Sequence, residues 1–219
     1  MSYKILSLKW RPQTFDQISG QDHIVQTLIN AISSNRLAQA FLFSGPRGVG
    51  KTTTARVLAS TINNINDYTN SLDVIELDGA SNRGIDEIRE IRESVKFAPA
   101  MSKYKVYIID EAHMLTEQAF NALLKTLEEP PDYVIFILAT TDPQKMPQTI
   151  LSRTQRYDFI RISNDTINSR LKYILDQEKI TYDKEALHLI SKKADGSMRD
   201  ALSILDQVIA FSNKIVSVN

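Results

Sequence analysis

Apolar residues fall along the chain in two rhythms. Short continuous runs occupy 41–43, 74–77, 106–109 and 134–139, each followed by polar or small residues. Such runs read as strands buried on both faces, the pattern of a parallel sheet. Between them, apolar positions recur every three or four residues. Ile24, Val25, Leu28, Ile29 and Ile32 predict a helix over about 21–34, and Thr54-Ala55-Arg56-Val57-Leu58-Ala59 belongs to a helix running to about Ile62. Ile85, Ile88, Ile91 and Val95 mark another, with Asp86, Glu87, Arg89, Glu90, Arg92 and Glu93 on its solvated faces. Ala119, Phe120, Leu123, Leu124 and Leu127 mark a fourth, stopped by Pro130-Pro131. A short edge strand is expected at 157–159. Strands alternating with helices predict an α/β fold whose sheet is covered on both sides, with its ligand crevice at the carboxyl ends of the strands.

Beyond about residue 160 the pattern turns wholly helical. Ile167, Leu171, Ile174 and Leu175 make one stripe, Ala186, Leu187, Ile190 and Ala194 a second, and Ala201, Leu202, Leu205, Val208 and Ile209 a third. Asp195-Gly196-Ser197 separates the last two. A small three-helix module is expected, its boundary near 160–165. The Asn-, Asp-, Ser- and Thr-rich stretch 63–72 reads as a loop. Trp10, the single tryptophan, reads as a packing anchor before a base-pocket residue.

Composition narrows the class. The 219 residues allow one large domain or one and a half. Basic and acidic residues balance at 26 each, so nothing resembles a basic nucleic-acid arm, although a local basic face stays open. The lack of cysteine removes disulfides and thiolate metal sites and fits a reducing compartment. The first ten residues hold no long apolar core, so no signal peptide is read. No apolar run reaches the ~20 residues of a membrane span. The expected location is cytoplasmic.

The chemistry concentrates after the first strand. Gly45-Pro46-Arg47-Gly48-Val49-Gly50-Lys51-Thr52 fits the phosphate-binding pattern G-x-x-x-x-G-K-[ST] between a strand and a helix. Gly45, Gly48 and Gly50 can take φ > 0 and turn backbone N–H groups toward phosphate oxygens, while the helix behind presents its positive end. Lys51 can reach the β and γ phosphates, and Thr52 can place its hydroxyl on Mg²⁺. Asp110 and Glu111 close a strand as a Walker B pair would. A strand ending beside the phosphate loop would put Asp110 near the metal. Alternation along the strand would turn Glu111 the other way, toward the attacking water. Thr140 and Thr141 end the next apolar strand and can hold that water. A lone arginine such as Arg153 is ordinarily a surface ion-pair partner; the sharper reading is an arginine finger. Arg199 opens the last helix, where a cation is poorly placed for the helix dipole, which points weakly to an anionic partner. His23, His113 and His188 show no metal-ligand spacing and read as structural or surface residues.

Six stretches then resemble one family. They are Lys9-Trp10-Arg11-Pro12-Gln13-Thr14-Phe15, the glycine turn 45–52, Ile109-Asp110-Glu111-Ala112-His113-Met114-Leu115, the run 120–131, Ala139-Thr140-Thr141-Asp142-Pro143-Gln144-Lys145 and Gly196-Ser197-Met198-Arg199-Asp200-Ala201-Leu202. Over nearly its whole length the chain is similar to the AAA+ ATPases and, within them, to the gamma/tau family of bacterial DNA polymerase III, the motor subunits of sliding-clamp loaders.

The resemblance implies a AAA+ P-loop NTPase core with a five-stranded parallel sheet over 1–162 and a small all-α lid over 163–219, without the family's collar domain. It implies ATP or ADP with Mg²⁺, held by Gly45, Pro46, Arg47, Gly48, Val49, Gly50, Lys51, Thr52 and Thr53. Arg11 and the stretch from Ile18 to Ile24 would line the adenine pocket. Thr141 would be sensor 1, Arg199 sensor 2, and Arg153 a finger acting in trans on a neighbour's nucleotide. Expected partners are the other clamp-loader subunits, the sliding clamp and primed DNA gripped through its phosphates by the assembly. The family's four-cysteine zinc module is replaced by the loop 63–72, so no zinc is expected. Ser152-Arg153-Thr154 carries Thr where the family has Cys, but keeps the arginine. Without the collar, the isolated chain is expected to be a monomer that hydrolyses ATP weakly. The alternatives are another AAA+ remodeller, such as a branch-migration helicase motor or a eukaryotic-type clamp-loader small subunit, and a nucleotide-binding module without turnover. Thr140-Thr141-Asp142-Pro143 and the Trp10 stretch argue against the former; intact Lys51, Asp110 and Glu111 argue against the latter.

Overall fold

The apolar runs become one parallel sheet in a computed structural model that describes residues 4–65, 71–212 and 215–217. Its strands are β1 (Ala40–Ser44), β2 (Val74–Asp78), β3 (Lys105–Asp110), β4 (Val134–Thr140) and β5 (Gln155–Asp158), in the order β2-β3-β4-β1-β5. Every neighbouring pair runs parallel. Burial explains the order. β1 and β4 are buried along their whole lengths and lie inside. β2 and β5 carry Glu76, Asp78, Gln155, Arg156 and Asp158, whose charge and polarity suit an unpaired edge.

Alternation along the strands divides the core between two faces. On one, Leu42, Tyr107, Phe136 and Leu138 meet Ile88 and Ile91 of α4 (Ile85–Val95) and Phe120 and Leu123 of α5 (Glu117–Glu128). On the other, Phe41 and Phe43 pack with Tyr157 and Phe159. The chain before β1 forms α2 (Asp22–Ser33), and the chain after it forms α3 (Lys51–Asn63), which packs on β3 and β4. A short α6 (Gln148–Leu151) precedes β5. Of the loop expected at 63–72, Asn63 belongs to α3, and residues 66–70 lie outside the described residues.

The chain divides into two compact units. One holds His23–Gly45 and Lys51–Phe159, and with them the sheet; the other holds Met1–Asp22, Pro46–Gly50 and Ile160–Asn219. The second unit contains the three expected helices, α7 (Asn164–Glu178), α8 (Lys184–Lys193) and α9 (Met198–Phe211), around Ile167, Leu171, Leu187, Ile190, Leu202 and Leu205. It is not wholly helical. β6 (Thr181–Tyr182) and β7 (Ile215–Val216) pair in parallel, each too short to show a period of two. It also gains α1 (Leu6–Lys9) from the N-terminal stretch. Leu6 is buried in this core, and its N–H donates to Asp206 Oδ2 at 2.8 Å. Trp10 anchors the same segment: its Nε1 donates to Glu178 Oε1 at 2.8 Å and its ring meets Tyr173 edge-on. Among the described residues no helix is long and apolar enough to cross a membrane.

Candidate functional site

The glycine turn leaves β1 under tight constraint. Gly45 has φ +142, and a Cβ there would lie 2.3 Å from the carbonyl oxygen of Phe159. Its N–H donates to Thr140 O at 3.2 Å. The preceding Ser44 hydroxyl donates to the Asp158 carboxylate, which Arg156 also holds. Burial works against the charge on Asp158, but the Ser44 and Arg156 donors outweigh it and keep the carboxyl below its ordinary range. Lys51 is buried, and its ammonium donates to Gly45 O at 2.8 Å. Thr52 and Thr53 follow in the first turn of α3, where helix amides have no carbonyl of their own helix to bond and the dipole is positive.

The end of β3 brings Asp110 to this turn. β3 does not lie beside β1; β4 runs between them. α3 instead crosses from the turn onto β4 and β3, and so carries Thr52 Oγ1 to within 2.6 Å of Asp110 Oδ2. A hydroxyl and a carboxylate side by side are an all-oxygen donor set, which suits Mg²⁺. Glu111 departs from expectation. It has left the strand for a left-handed conformation at φ 44, ψ 44, so its direction comes from a turn and not from strand alternation. Its Oε2 accepts from Thr141 Oγ1 at 2.9 Å. His113 Nδ1 lies 3.4 Å from the same oxygen and 3.0 Å from Thr140 Oγ1. His113 thus belongs to the acid cluster, although its spacing marked it as ordinary. The available signal was its place in the turn directly after the two acids.

In the helical unit, residues 46–50 meet the start of α9. Gly48 O accepts from the N–H groups of Met198 at 3.0 Å and Arg199 at 3.4 Å. A Cβ on Gly48, which has φ +72, would lie 2.0 Å from Ser197 Oγ. Arg47 lies 3.7 Å from Asp200 Oδ2. Arg199, Arg47 and Gly48 are therefore neighbours. Val49 is buried, and its carbonyl accepts from Gln21 Nε2 at 3.5 Å, while the same amide donates to Ile160 O at 2.8 Å. Gln21 is wholly buried, and sequence reasoning did not single it out. Arg11 is half-buried and Ile18 buried. A cavity of about 350 Å³ in this unit is lined not by them but by Ser19, Gly20 and Asp22 against Thr166, Arg170 and Tyr173 of α7. Ile24 is buried within α2.

Arg153 joins neither cluster. Its guanidinium donates to Glu128 Oε1 at 2.7 Å and to Thr149 O at 2.8 Å at the surface. The neighbouring Thr154 Oγ1 donates to Ile150 O at 3.1 Å.

A family model described as "DNA polymerase III, delta subunit" matches residues 20–163, and one described as "DNA polymerase III clamp loader subunit, ATPase lid domain" matches 166–214. The chain is 51% identical to DNA polymerase III subunit tau of Bacillus subtilis, an alignment covering 100% of this chain and 42% of that protein. It is 46% identical to subunit tau of Escherichia coli, covering 99% of this chain and 36% of that protein. It is 47% identical to subunit gamma of Buchnera aphidicola subsp. Acyrthosiphon pisum, covering 100% and 65%. The chain thus spans about two fifths of the length of the B. subtilis relative. Among solved structures, the Thermotoga maritima RuvB Holliday junction branch migration motor matches 96% of this chain and 69% of its own with a TM-score of 0.75 at 21% identity, a likeness of fold alone.

Proposed function

The chain belongs to the gamma/tau family of DNA polymerase III clamp-loader subunits, and on that premise we propose that it binds and hydrolyses ATP as the motor of a sliding-clamp loader. The observation that carries the reading is the hydrogen bond from Thr52 to Asp110, which joins the glycine turn to the strand-end acids. Lys51 and the turn's amides bind the phosphates. Thr52 and Asp110 would hold Mg²⁺, which when bound neutralises phosphate charge. Glu111 accepts the proton of the attacking water, and Thr141 orients its carboxylate. Arg199 senses the nucleotide from α9. Arg153 is offered to a neighbouring subunit. Arg11 and the stretch from Ile18 to Ile24 would meet the base.

In functional terms 1–162 acts as the nucleotide-binding core and 163–219 as the lid. The partners are other loader subunits, a ring-shaped clamp and primed DNA, in the cytoplasm, with no zinc required. Binding and turnover test this together. With Mg·ATP measured by calorimetry, Lys51→Ala is expected to lose about tenfold or more in affinity, since a charge-assisted hydrogen bond contributes about 1.5–3 kcal/mol. Glu111→Gln is expected to bind as the wild type does. Its turnover, assayed in the assembly with clamp and primed DNA, is expected to fall about a hundredfold. Full turnover by Glu111→Gln would remove Glu111 from the chemistry.

A further inference from the structure

We propose that His113 is a positioning residue for Glu111, holding its carboxylate by a hydrogen bond from Nδ1. The inference rests on Glu111 being the general base. The His113 side chain is nearly buried, at 10% exposure, and its Nδ1 faces two oxygens, Thr140 Oγ1 at 3.0 Å and Glu111 Oε2 at 3.4 Å. A carboxylate oxygen only accepts. With Nδ1 bare, the Thr140 hydroxyl can donate to it, but the lone pair then faces the Glu111 carboxylate in a poorly solvated place, which is unfavourable. A proton on Nδ1 turns the same geometry into one N–H shared between Thr140 and Glu111. Thr140 Oγ1 can take part as an acceptor, since a hydroxyl oxygen has two lone pairs and the Asp142 N–H at 3.1 Å uses one.

Glu111 needs such a hold. It sits in a left-handed turn beyond the end of β3, so no strand pairing fixes it. Thr141 Oγ1 donates to Oε2, and His113 Nδ1 lies 3.4 Å from the same oxygen. That leaves Oε1 as the oxygen that meets the water. A base oriented by a further group in this way keeps the reactive geometry that proton transfer requires.

Two amide variants separate the role from mere packing. His113→Asn places an N–H donor close to the Nδ1 position, and His113→Gln places it close to Nε2. In the complete loader with clamp and primed DNA, kcat for His113→Asn is expected to stay within about twofold of wild type, while His113→Gln loses about tenfold. KM for ATP is expected to be unchanged in both. Equal rates for the two variants, or a loss that appears in KM alone, would overturn the proposal. Glu111→Gln, run in parallel, tells this failure from failure of the catalytic reading: if it retains turnover, the base itself is misassigned. If instead it is dead while His113→Gln is fully active, His113 holds nothing the reaction needs.

Discussion

Gly45 and Gly50 both hold positive φ in the same turn, yet they differ in surroundings. A Cβ on Gly45 would meet the Phe159 carbonyl at 2.3 Å, and backbone cannot move aside easily; one on Gly50 meets nothing within 4 Å. Gly45→Ala is therefore expected to destabilise the fold by at least about 3 kcal/mol, combining backbone strain with a clash. Gly50→Ala should lose only about 1 kcal/mol, from its conformation. Urea unfolding of the two variants checks the difference. At this scale Lys51, Thr52, Asp110 and Glu111 were legible, because phosphate chemistry demands those residue types at fixed spacing. His113 and Gln21 were not. Each acts through oxygens supplied by distant parts of the chain: Thr140 for His113, Val49 and Ile160 for Gln21.

The segment between α4 and β3 is held by an element-level device. Asp73, just before β2, is 2% exposed, and its carboxylate accepts the N–H groups of Ala100 at 2.6 Å, Met101 at 2.9 Å and Ser102 at 2.8 Å. Burial disfavours its charge, but the three amides outweigh burial and lower its pKa below the ordinary 3.8. A depressed carboxyl contributes stability above its unfolded-state value and loses it as pH falls through the folded one. Asp73→Asn is expected to destabilise the protein by about 2 kcal/mol at neutral pH, from lost charge-assisted bonds. The gap from wild type should close as unfolding is measured at pH values falling below 3.8. A constant gap would mean the amides do not depend on the charge. Elements with three or more turns, such as α2, α5 and α9, were readable from apolar spacing. α1, β6 and β7 were not, since four residues or two hold no measurable period.

For the whole molecule, the decisive question is what one chain does alone. Arg153 spends its guanidinium on Glu128 and Thr149 of its own chain. The proposed finger role would turn it instead to a neighbour's nucleotide. Arg153→Ala is expected to leave the isolated chain's ATP affinity unchanged and to reduce turnover of the assembly about a thousandfold. Robust turnover by an isolated chain, shown monomeric by its solution mass, would count against action in trans. The amino-acid sequence by itself determined the succession of the sheet's strands and of the longer helices, the glycine turn and its acids, because periodicity and motif spacing are local properties that neighbouring residues carry together. Tertiary structure alone decided that β4 lies between β1 and β3, that α3 rather than strand adjacency brings Thr52 to Asp110, and that Glu111 turns between Thr141 and His113. Those arrangements follow from which apolar faces pack together over long separations, and a period of two along a strand is the same whichever neighbour that strand acquires.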